Sequence, residues 1–162
     1  LLIFLLKNKL KRDIENRSDI ELMVDTFYKK VLADKQLGFI FQDVAKVNWS
    51  THIPLLYDFW ENVILFTGSY EGNPVNLHKH LHTIEPLSKT HFDRWNKLFI
   101  ITVDQLFEGS KAGLAKERAI SISGILRDKV LEYHEINRIE KPETENKMDQ
   151  KQSQTRKGIT FK

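Results

Sequence analysis

Hydrophobic residues recur along most of this chain at helical rather than strand spacing. Ile20, Met23, Val24, Phe27, Tyr28 and Val31 share one face of a 3.6-residue period, which predicts an amphipathic helix. Ser18-Asp19-Ile20-Glu21 suits a capping box at its start, with Ser18 as the cap. Gly38 closes this region, and Phe39, Ile40 and Phe41 form an apolar corner. The next inner stripe runs His52, Leu56, Phe59 with Trp60, and Val63, and either Asn48 or Ser50 can cap it. Proline inside a helix costs about 3 kcal/mol, so Pro54 places the start of this helix near Ser50 or Thr51 and His52 in its first turn. Gly72-Asn73 breaks the pattern, and Pro74 fits the first turn of a short new helix. Pro86 and Ser88 announce a further helix whose period is kept by Phe92, Trp95, Phe99, Thr102 and Leu106, with Gly109 closing it. Ala115, Ala119, Ile122, Ile125 with Leu126, Val130 and Tyr133 predict a last, long one. There is no alternating strand pattern. The fold class expected is all-α, with a short helix between two longer pairs.

The two ends do not follow the period. Leu1 to Leu6 is too short to cross a bilayer, and Lys7, Lys9, Lys11 and Arg12 follow the apolar run where a secretory signal would have them precede it. Residues 1–17 are therefore expected to be an extension outside the fold, and residues 18–137 the domain. From 138 to 162 polar and charged residues dominate, which predicts a disordered charged tail.

Composition narrows the possible functions. The 162 residues, 41% of them hydrophobic, suffice for one domain with a sizeable core. Cysteine is absent, which excludes thiolate metal sites and covalent heme attachment through Cys-x-x-Cys-His. The net charge of +3 sits at the ends: residues 13–137 carry fourteen basic against eighteen acidic groups. A nucleic-acid partner needs its positive charge gathered on one face of the fold, and none is visible here. A cytoplasmic protein without a membrane span is expected.

The candidate chemistry lies in the short helix. His78, one turn inside it, can present a neutral imidazole nitrogen to a metal while a carbonyl orients its other nitrogen, the arrangement that heme iron requires. A lone histidine is commonly a hydrogen-bonded structural residue, and that reading stands beside it. His78 and His82 also share a face at i, i+4, which admits a non-heme zinc or nickel site. Tyr28, on the buried stripe, needs a partner for its hydroxyl or else caps the edge of a core. His52 heads an apolar stripe, explained by local capping or by a ligand that wants a hydrogen bond.

Taken in order, Phe27-Tyr28, Leu37-Gly38-Phe39-Ile40-Phe41, Trp49 with His52, Phe59-Trp60, Tyr70-Glu71-Gly72-Asn73-Pro74 leading to His78, and His91-Phe92-Asp93-Arg94-Trp95 resemble the group III truncated hemoglobins over roughly residues 19–137. The resemblance implies a two-over-two globin around heme b, with His78 as the proximal iron ligand. It implies Phe41 against the porphyrin, Tyr28, His52 and Trp95 on the distal side, Leu56 as an apolar wall and Trp60 as nearby packing. Oxygen and related diatomics such as nitric oxide are then the ligands, an unidentified reductant is a partner, and a monomer is expected. Tyr28, Trp95 and His52 are candidate donors to bound oxygen, and two good donors would slow its loss by roughly one to two orders of magnitude, at about 0.5–1.5 kcal/mol for each hydrogen bond. Nitric-oxide or peroxide chemistry is a possible extension. The alternative is a heme-free helical interaction module that has kept globin packing.

Overall fold

The computed structural model describes residues 11–140. Their helices are α1 (Arg17–Ala33), α2 (Trp49–Leu65), α3 (Pro74–Ile84), α4 (Lys89–Leu106) and α5 (Ser110–Glu140), with a π-helical turn at Ile40–Val44. There is no strand among the described residues. The short α3 lies in sequence between two longer pairs, as the hydrophobic period predicts.

α1 packs against both α2 and α4. Its inner face of Met23, Val24, Phe27 and Val31 is fully buried. Phe27 stands edge-on to Phe99 and to Trp95, with centroids 5.1 and 5.0 Å away. Trp60, 1% exposed, stacks on Phe99 at 4.5 Å. This aromatic cluster brings large side chains of all three helices into contact. Arg17 adds a polar clasp at the surface, donating to Asp58 at 2.7 Å and to Glu61 at 2.5 Å of α2.

The start of α1 differs from expectation. Asn16 is the cap: its side chain accepts from the Asp19 N–H at 3.3 Å, and Asp19 accepts from the Asn16 N–H at 3.3 Å. Asp19 is 1% exposed and is also gripped by both terminal nitrogens of Arg12. Burying a carboxylate requires such partners, and they draw the helix start two residues ahead of Ser18.

The folded body accordingly begins ahead of residue 18. Ile14 is fully buried, and Asp13 accepts the N–H groups of Lys111 at 2.9 Å and Ala112 at 2.8 Å, capping α5. Gly109, at φ +152°, lies where a Cβ would run into Asp13. Residues 1–10 of the expected extension lie outside the described residues.

Three further boundaries move. α1 ends at Ala33, and Gly38 instead lets the chain pass the Leu32 carbonyl, 2.6 Å from where a Cβ would sit. α2 starts at Trp49, since Pro54 still lies close enough to the helix start for the lost hydrogen bond to fall on an exposed turn. α4 ends at Leu106, with Phe107 as its cap, ahead of Gly109. In α5, Ala112, Ala115, Ala119, Leu126 and Val130 are buried, whereas Ile125 is 55% exposed: the inner face is rotated onto the alanines. α5 continues through Glu140, past the expected limit at 137, and residues 141–162 of the expected tail lie outside the described residues. No helix among the described residues is long and apolar enough to cross a membrane.

Candidate functional site: an oriented histidine and an aromatic cluster

His78 is positioned by local sequence. Asn73 accepts the Asn76 N–H at 3.1 Å and so caps α3, and Pro74 occupies its first position. His78 Nδ1 lies 2.7 Å from the Pro74 carbonyl oxygen. A carbonyl can only accept, so the proton must be on Nδ1, and the lone pair is left on Nε2. Burial holds the imidazole below its ordinary pKa, partly offset by that hydrogen bond, and therefore keeps it neutral. A neutral, oriented Nε2 is what a metal requires of histidine.

The other residues read from the sequence divide into two connected groups. Tyr28, 6% exposed, lies edge-on to Phe41 of the π-helical turn at 6.0 Å. Trp49 stands 5.5 Å from Tyr28, 6.0 Å from Phe41 and 5.9 Å from His52, joining the three. Leu56, one turn beyond His52 on α2, is half-buried against the core. The second group is the core cluster, in which Trp95 stacks on Phe99 at 5.5 Å and lies 6.4 Å from Trp60. Trp60 thus supports Trp95 from within the core.

Tyr28 links the groups chemically. Burial pushes its phenol pKa up, and a hydrogen bond from Trp95 acts in the opposite direction. Indole N–H is a donor only, so Trp95 can act on the phenol solely by donating towards its oxygen. His52 is held below the ordinary imidazole pKa by burial and then by the neighbouring His78 imidazole, since the protonated forms of the two rings would repel each other.

His82 takes a different role. Its Nδ1 accepts the Leu87 N–H at 2.8 Å and ties down the turn between α3 and α4. No cluster of three or more His, Cys, Asp or Glu side chains suited to a metal occurs among the described residues. A single neutral histidine fits a metal that arrives with its own ring of nitrogens, as heme iron does. The residues present therefore fit that group. Sequence reasoning gave Trp49 no role of its own and did not identify Pro74 as the partner of His78. The four-residue spacing from Pro74 to His78 was the available signal for the latter.

An all-α arrangement with a short histidine-bearing helix between two longer pairs is the two-over-two globin fold. The particular likeness is to truncated hemoglobins: over 127 residues the chain is 28% identical to a group 3 truncated hemoglobin of Campylobacter jejuni, covering 76% of this chain and 98% of the relative. The crystal structure of a group III truncated hemoglobin from Campylobacter jejuni matches with a TM-score of 0.65 and 26% identity, over 75% of this chain and 95% of that one. The 2/2 hemoglobin from Synechococcus sp. PCC 7002, solved in the cyanomet state with covalently attached heme, shares the fold at a TM-score of 0.59 and 22% identity, over 72% and 93% of the two chains. No family model matches the chain. The resemblance to group III truncated hemoglobins is thus carried by both sequence and fold.

Proposed function

We propose that this chain holds heme b through Nε2 of His78 and binds oxygen and related diatomic ligands beneath Tyr28. The observation that carries this reading is the 2.7 Å bond from His78 Nδ1 to the Pro74 carbonyl, which supports a tautomer with its lone pair on Nε2, the form a metal needs. Heme iron supplies an open coordination position for a diatomic molecule. The remaining chemistry belongs to the protein. Tyr28, kept protonated by burial, offers its O–H to an acceptor atom in the pocket. Trp95 donates to the phenol oxygen and polarises that O–H, making it a better donor. His52, held neutral, supplies one further N–H. Phe41, Leu56 and Trp49 exclude water, so each of these bonds is stronger than in solvent.

The partner of Nδ1 is a neutral carbonyl rather than a carboxylate, and the imidazole gains correspondingly little basicity. This favours binding and slow release over peroxide cleavage. Turnover of nitric oxide or peroxide would additionally require electrons from a separate reductant. A cytoplasmic, monomeric protein is part of the same reading.

The test is titration of the purified protein with hemin, followed by absorption spectroscopy in the ferric, ferrous and carbon-monoxide-bound states. The expected result is saturation at one hemin for each chain, with a sharp Soret band. A protein that refuses hemin overturns the reading and supports the heme-free helical module instead.

A further inference from the structure

A groove of about 280 Å³ opens from solvent onto Tyr28, between α1 and the first turns of α2. Asp25 and Lys29 contribute the charged part of its lining, and Leu32, Trp49 and Ile53 the apolar part. Tyr28 is otherwise buried, so the groove is where its ring meets the outside. Trp49 is both a wall of the groove and the ring that touches Tyr28, Phe41 and His52 on the inside. A displacement of this one indole would extend the groove towards Phe41 and His52.

The turn that carries Trp49 lacks a side-chain cap and one helical hydrogen bond. Pro54 has no N–H, so the Ser50 carbonyl receives no helical hydrogen bond. The Asn48 side chain accepts the Ser50 hydroxyl at 2.7 Å and makes no cap to the helix backbone. The turn is anchored through the Asn48 carbonyl, which accepts from Thr51 at 3.2 Å and His52 at 2.9 Å. Just before it, Lys46 takes a left-handed backbone at φ 46°. A helix end with few bonds and a half-exposed aromatic is where local opening costs least.

We propose that this groove is the route by which small neutral ligands reach the Tyr28 face, that Trp49 is the door, and that Pro54 sets how readily it opens. The proposal rests on the heme-binding reading above. Leu32, Trp49 and Ile53 give a diatomic molecule an apolar path, while the indole excludes water and larger solutes at rest.

The test compares three variants with the wild type, each as the full chain. Carbon monoxide association is followed on the hemin-loaded protein after laser photolysis. Trp49→Ala, which removes the door, is expected to raise the association rate about fivefold, and Ile53→Trp, which plugs the groove, to lower it by a similar factor. Pro54→Ala restores the missing N–H and is expected to slow association about twofold. It should also slow amide hydrogen exchange over residues 49–53, in hemin-loaded and hemin-free protein alike. Should Trp49→Ala fail to take up hemin, Ile53→Trp decides the matter by itself. Association rates unchanged in a hemin-loaded Ile53→Trp overturn the route, and unchanged exchange in Pro54→Ala overturns the role of the proline. A wild type that takes up no hemin overturns the parent reading and this one with it.

Discussion

His78 Nδ1 and the Pro74 carbonyl oxygen lie 2.7 Å apart within the same helix, one turn from each other. The contact assigns the proton to Nδ1 and leaves the lone pair on Nε2. Replacing His78 with Gly is therefore expected to abolish the Soret band of the hemin-loaded protein or shift it strongly. Free imidazole added to that variant should restore the band, because the cavity left by the side chain accepts the same ring. Failure of imidazole to restore it, in a variant that keeps its helical circular dichroism, would remove His78 as the ligand.

With Trp95 acting on the phenol oxygen and Tyr28 on the ligand, the substitutions of these two residues are expected not to add. Tyr28→Phe removes the proton that faces the pocket and is expected to raise the oxygen dissociation rate about tenfold, from a hydrogen bond worth about 1 kcal/mol or slightly more. Trp95→Phe removes only the polarisation of that proton, so its effect should be smaller, about twofold to threefold. The double variant should match Tyr28→Phe alone. Stopped-flow measurement of oxygen release checks this, and an effect equal to the product of the two single effects would show that Trp95 acts on the ligand directly.

Arg94 donates to Asp34 through Nε at 2.8 Å and Nη2 at 2.6 Å, while Asp34 also accepts the N–H groups of Gln36 and Leu37. The Arg94 guanidinium holds the Asp34 carboxyl below its ordinary pKa of 3.8, against the opposing effect of burial. A depressed folded-state pKa means that the unfolded chain binds the proton more readily. The stabilisation is then fully present above about pH 4 and is lost as pH falls through the folded-state value. Asp34→Asn is expected to destabilise the protein by about 2 kcal/mol at neutral pH and to flatten the acid limb of stability against pH. Urea unfolding at several pH values measures both, and an unchanged acid limb would locate the acid sensitivity elsewhere.

Trp60 is fully enclosed and stacks on Phe99 with 25° between their planes. Trp60→Ala should cost about 3–5 kcal/mol through lost burial and the cavity that remains. Against a typical domain stability of about 5–15 kcal/mol, this is a large fraction, and partial unfolding of the variant at room temperature is expected. Trp60→Phe should retain most of the stability while loosening the support of Trp95. Comparable unfolding midpoints for wild type and Trp60→Ala would refute the central place given to this stack.

What lay within reach of a few neighbouring residues was legible in the sequence. The helical period, the Asn73-Pro74 start of α3 and the place of His78 inside it all follow from local rules, because a cap and its helix are settled over about four residues. The aromatic positions Tyr28, Phe41, Trp60 and Trp95 also carried the resemblance before any contact between them was seen. The remainder depends on which distant groups meet once helices pack. Asp13 caps α5 nearly a hundred residues away, and Arg12 draws Asp19 inward so that Asn16 displaces Ser18 as the cap. Ile125 fits the helical period yet faces outward, because the rotation of α5 follows its alanines and the space beside them. The meeting of Tyr28 and Trp95 on Phe27, and the contact of Trp49 with Tyr28, Phe41 and His52, are likewise tertiary. A side chain's identity fixes what it can donate or accept, whereas packing alone chooses the partner.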